Sequence, residues 1–148
     1  NPNFMHTIID LSEIYKGQVA ASKRGIAVID KKQVMIRDEI ETLGKETTIR
    51  WTMLTPAEVT IINDHQALLT KDGKTLTLDV GKLPNLKMKT WSTDPPNAYD
   101  APNPGTILTG FEVTVPANTK IALNVRLIPG KKGKSNQKNI PALENWKN

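Results

Sequence analysis

The sequence predicts an all-β protein, an antiparallel β-sandwich or roll with little or no helix. Three observations carry this. Short runs of alternating apolar and polar residues recur at roughly 8–12-residue spacing, as in sandwiches and barrels. Gly, Asn, Asp and Pro, the residues that turns demand, sit between the runs. No stretch holds a helical period for three turns.

In chain order, residues 6–11 predict a short edge strand, and residues 12–17 a loop or one helical turn that Ser12 is able to cap. Residues 22–55 hold three consecutive strands. Ala27 and Ile29, then Val34 and Ile36, then Ile49, Trp51 and Met53 mark the apolar sides. That pattern suits a sheet with one face on a core and one in water. Polar turns at residues 30–33 and around Leu43-Gly44-Lys45 separate the three. After Val59-Thr60-Ile61-Ile62 comes a hairpin, in which residues 67–70 and 75–80 flank Lys71-Asp72-Gly73-Lys74. Asp-Gly is favoured there because both residues tolerate positive φ.

Residues 86–91 alternate again. Residues 92–105 then carry four prolines, which fix φ and remove donors, so a long irregular loop is expected. Loops of that length are often functional. Phe111, Val113 and Val115 mark one further strand. Residues 116–119 turn the chain, and Ile121, Leu123, Val125 and Leu127 line its return. In the polar tail, Leu143 and Trp146 predict a clip folded back onto a surface.

At 148 residues the chain suits one core, read as a single sandwich domain over residues 1–148. With 38% hydrophobic and 24% charged residues it falls in the globular range rather than the disordered one. No apolar run approaches the roughly 18 residues that cross a bilayer, so no membrane partner is expected. Residues 1–4 lack the basic and apolar regions of a leader, and an opening Asn fits a piece of a longer protein. With no Cys, disulfides and thiolate zinc sites are excluded, while the compartment stays open. The net charge of +5 and pI near 9.5 would suit an anionic partner, nucleic acid or acidic polysaccharide. Much of the excess, however, lies in Lys131, Lys132, Lys134 and Lys138, which also read as a solvated loop.

Catalytic patterns are missing. No Gly-x-Ser-x-Gly elbow or reactive Cys is present, and the two histidines, His6 and His65, lie far apart and read as ordinary surface or loop residues. Gly133-Lys134-Ser135 ends like a phosphate loop, but Ile128 stands where the first Gly belongs. Asp38 and Glu39 are adjacent on a strand and point to opposite faces, so they cannot flank one glycosidic bond. With Arg37 they read as cross-strand ion pairs. No catalytic residue, metal ligand or cofactor is assigned.

Sugar-binding surfaces use exposed aromatic rings. Trp51 keeps register with Ile49 and Met53 and reads as core. Trp91 borders the proline loop with Tyr99 nearby, so these two, with Lys131, Lys132 and Lys134, form a candidate carbohydrate-binding set; packing is the rival reading for Trp91. Nucleic-acid stacking would need more aromatics interleaved with Lys and Arg, so nucleic acid is not expected.

Residues 8–11 with Tyr15, then residues 22–26, 34–40 and 49–53, resemble the C-terminal β-sheet region of heparinase II/III-like polysaccharide lyases. There an Asp-Leu…Tyr strand precedes an Arg-bearing strand, an apolar strand ending in Asp-Glu, and a strand carrying Trp. The likeness spans residues 8–80, and the closing Pro-Ala-Leu-Glu-Asn-Trp is similar to tails in that group. The resemblance implies antiparallel sheets packed beside an α/α toroid, in a periplasmic or extracellular enzyme that cleaves uronic-acid polysaccharides by β-elimination. It places the catalytic Asn, His and Tyr elsewhere, since no His-rich segment occurs in this chain. The expectation is therefore a non-catalytic C-terminal domain that supports the toroid, with a place at the border of its acidic-polysaccharide cleft. The partner would be the N-terminal catalytic domain of the parent chain. The alternative is an independent binding module for acidic glycans.

Overall fold

The computed structural model describes residues 1–131 and 140–147. Among these the chain forms strands β1 (Phe4–Asp10), β2 (Val19–Ile29), β3 (Gln33–Thr42), β4 (Thr47–Thr55) and β5 (Glu58–Asn63). They are followed by β6 (Gln66–Lys71), β7 (Lys74–Val80), β8 (Lys87–Trp91), β9 (Ile107–Val115) and β10 (Lys120–Pro129). Helix is confined to one 3₁₀ turn, Leu143–Asn145. The fold is all-β, as the alternation predicts.

Two antiparallel sheets pack together. The larger runs β1-β2-β3-β10-β7-β6-β5 and the smaller β4-β9-β8. The three consecutive strands of residues 22–55 thus do not stay in one sheet: β2 pairs with β3, while β4 crosses over to pair with β9. Apolar inner faces meet between the layers, where Trp51 and Phe111 lie parallel with ring centroids 5.9 Å apart. At the β6–β7 hairpin Asp72 (φ 49°) and Gly73 (φ 71°) supply the left-handed pair that the turn needs. Buried Thr42 joins two turns, its hydroxyl donating to the Pro116 carbonyl at 2.7 Å and accepting from the Thr119 N–H at 2.9 Å.

One expectation about faces is overturned. Ala27 is in register with Met35, so Val34 and Ile36 point to the opposite side of the larger sheet. Neither side there is left to water. Ile36 packs on the inter-sheet core, while Ala27 and Met35 form a second cluster with Leu143 and Trp146. The tail is the clip that the sequence suggests. Trp146 lies edge-on to Phe4 at 5.2 Å, and its indole N–H donates to the Pro141 carbonyl at 3.1 Å. It crosses the sheet above Gly25, where any Cβ would collide with Leu143 and lie 2.7 Å from the indole ring.

Candidate functional site

The smaller sheet positions the first candidate. Trp51, Phe111 and Met88 point into the core, so alternation sends Arg50, Glu112, Lys87, Lys89 and Trp91 to the outer face. Glu112 accepts from Arg50 Nε at 2.8 Å and from Lys89 Nζ at 2.6 Å. The Lys89 and Arg50 hydrogen bonds, in that order, hold its carboxyl below the usual Glu range. The Arg50 guanidinium also lies 4.9 Å from the Trp91 ring centroid, in cation–π contact. Three cations to one carboxylate leave this face with a positive excess.

Trp91 also borders an open groove of about 510 Å³ walled by Thr93, Pro95, Pro102 and Pro104. The proline loop is tied down locally. Thr93 donates to the Thr106 carbonyl at 2.9 Å, Ser92 to Asp94 at 2.6 Å, and Asn97 Nδ2 to Asp100 at 3.0 Å.

The five candidate carbohydrate contacts do not converge. Trp91 sits at a recess. Tyr99 is 85% exposed and is not part of the groove wall. Lys131 follows the last strand of the other sheet, and Lys132 and Lys134 lie outside the described residues. The cations that share the outer face with Trp91 are Arg50, which touches its ring, and Lys87 and Lys89 on its own strand. Their signal was present in the alternation Lys87-Met88-Lys89-Thr90-Trp91.

A second recess, of about 220 Å³, opens between the sheets where β2, β3 and β4 meet the turn after β1. Arg24 and Asp38, in register on β2 and β3, project into the sandwich and make a two-point ion pair, Nε at 2.6 Å and Nη2 at 2.9 Å. The Asp38 side chain is 5% exposed and that of Arg24 36%. Hydrogen bonding to Asp38 raises the Arg24 pKa, burial opposes it, and Coulombic attraction to Asp38 and Tyr15 adds to it. Asp38 is thus in a cross-strand pair, as expected. Glu39 is not: it takes Arg37 Nε from its own strand at 2.7 Å, on the opposite face.

Neither histidine lies at either recess. His6 stands edge-on to Trp146 at 5.6 Å, and His65 lies in the β5–β6 turn. The Nδ1 atoms of both are buried with no hydrogen-bond partner among the described residues. Nor does any group of three or more acidic or His side chains among those residues offer a metal cage.

No family model and no curated protein matches the sequence. Solved structures do. The heparan sulfate lyase HepC mutant from Pedobacter heparinus superposes with TM-score 0.69 at 12% identity, covering 89% of this chain and 21% of that one. A heparinase III gene product gives TM-score 0.63 at 17% identity, covering 88% and 20%. This chain has the fold of one part of those lyases. The likeness takes in nearly nine-tenths of the chain, yet the chain spans about a fifth of the length of the lyases it matches.

Proposed function

We propose that this chain is a single, non-catalytic β-sandwich domain, the C-terminal part of a heparinase II/III-like polysaccharide lyase, resting against the catalytic body of its parent. The observation that carries the reading is the disparity in coverage just described. Such a domain needs a surface to dock. Edge strand β1 and the turn after it expose Met5, Ile8, Ile9 and Ile14, an unusual concentration of large apolar side chains on a water-facing edge. A partner that acts on a polymer too large to enter cells would work in the periplasm or outside the cell.

The test compares the isolated chain with the full reading frame of its gene. Acidic polysaccharide should yield unsaturated uronate absorbance only with the full product, and amide exchange in β1 should slow in that product. Cleavage by the isolated chain, or identical β1 exchange in both, would overturn the reading.

A second reading, glycan contact by this domain itself, is favoured by Trp91 lying between Arg50 and the groove. Trp91→Ala, and Lys87→Ala with Lys89→Ala, should each weaken retention on an acidic oligosaccharide column. The lysine effect should fade with added salt, because exposed charges are screened. Unchanged retention in all variants would remove this reading.

A further inference from the structure

The recess between the sheets has a composition that neither reading uses. Its wall brings together Leu11, Tyr15, Arg24, Asp38 and Trp51, which come from the turn after β1 and from three different strands. These are the same positions that carried the sequence resemblance, where they stood as scattered structural markers. Folding gathers them around one cavity.

The chemistry of that wall is balanced. Arg24 and Asp38 neutralise each other, and the Arg50 guanidinium, from the neighbouring position, is turned to the other face and bonded to Glu112. An anionic ligand would meet the Asp38 carboxylate, and a cationic one the Arg24 guanidinium. Arg24 uses Nε and Nη2 on Asp38, which leaves Nη1 as a donor, and each Asp38 oxygen keeps a second lone pair. Fixed donors beside fixed acceptors suit a group that both gives and accepts hydrogen bonds. Vicinal hydroxyls do this. Tyr15 and Trp51 add aromatic surface for the apolar face of a ring, and about 220 Å³ is room for several water molecules or for one six-membered sugar ring.

We infer that the inter-sheet cavity lined by Tyr15, Arg24, Asp38 and Trp51 is a binding pocket for a single uncharged sugar unit, held through adjacent hydroxyls. It stands on the cavity alone and does not depend on the lyase reading. The ion pair orients the hydroxyls, and the mouth at Tyr15, 43% exposed, admits the ring.

The test is an NMR titration of the whole chain with glucose, galactose and N-acetylglucosamine at millimolar concentrations, where weak sugar sites saturate. The Trp51 indole N–H and the Arg24 side-chain N–H signals are the readouts, with glucuronate as the charged comparison. Saturable shifts of both by at least one neutral sugar are expected, with affinity lowered tenfold or more in Arg24→Lys, which keeps the charge but loses the fork. Tyr15→Ala, at a half-exposed position, should weaken binding several-fold. Trp91→Ala should leave it unchanged. Absence of any shift, equal shifts in the Arg24→Lys variant, or binding of glucuronate alone would each overturn the inference. The last would return the site to charge-driven recognition.

Discussion

Glu39 and Leu143, 104 residues apart, are joined by a 2.9 Å hydrogen bond from the Leu143 N–H to the Glu39 carboxylate. The same oxygen accepts from Arg37 Nε at 2.7 Å. A helical turn leaves its first N–H groups without internal partners, and a carboxylate at that end satisfies one of them. The tail is therefore fixed at its 3₁₀ turn by a strand residue as well as by Trp146.

Glu39→Ala should loosen the clip without unfolding the sandwich. The lost bond involves a charged acceptor that is 30% exposed, so about 1 kcal/mol is expected rather than the upper end of the range for such bonds. Amide exchange of Leu143 and Trp146 should speed up while exchange in β9 stays as it was. Unaltered exchange in the tail would show that Trp146 alone holds it.

Gly25 tests the same contact from the other side. A methyl group there would collide with Leu143 and press the indole of Trp146. Gly25→Ala is expected to displace the tail at a cost of about 1–3 kcal/mol. Trp146 fluorescence should shift to the red as the ring enters water. A spectrum like that of the parent would mean that the clip repacks at no cost.

The architecture was largely legible because strand patterning is local. Period-two alternation marked β2, β4, β9 and β10, and Asp72-Gly73 marked the β6–β7 hairpin. Partner choice was not legible. That β4 leaves β2 and β3 for the second sheet depends on Trp51 meeting Phe111 across 60 residues, and nothing local encodes it. The same limit hid the second apolar face of β2 and β3, since alternation identifies two faces without saying what covers each. For the site, the error came from proximity in sequence. Lys131 and Tyr99 belong to conspicuous segments, whereas Arg50 reaches Trp91 only through the register of β4, β9 and β8.

Gly110 should be far less tolerant than its place in a strand suggests. A Cβ built there would run into the Trp51 carbonyl oxygen, a backbone atom that has no rotamer to yield. Gly110→Ala is expected to cost about 3 kcal/mol, the upper part of the overpacking range. Gly44→Ala meets nothing within 4 Å and should fall within about 0.5 kcal/mol of the parent. Urea midpoints of the two variants would decide it, and equal midpoints would refute the clash.

The Arg50–Glu112–Lys89 ladder should make the outer face of the smaller sheet respond to acid. The Glu112 carboxyl is held below its ordinary range by hydrogen bonds from Lys89 and Arg50. A group whose folded value is depressed stabilises the fold above its unfolded value, and that contribution is lost as pH falls through the folded one. The ladder should thus be intact at neutral pH and come apart only in acid below the usual carboxylate range. Protonation would release Lys89 and loosen Arg50, which would then hold its place over Trp91 less firmly. An NMR titration of the Glu112 side-chain carbon should show a midpoint below that of an unpaired Glu, with Trp91 indole signals moving over the same interval. Adding salt should raise the midpoint, since both partners are substantially exposed. Glu112→Gln should remove the Trp91 response altogether. If Trp91 still titrated in that variant, the acid response would belong to another carboxylate, and the ladder would not be what orders this face.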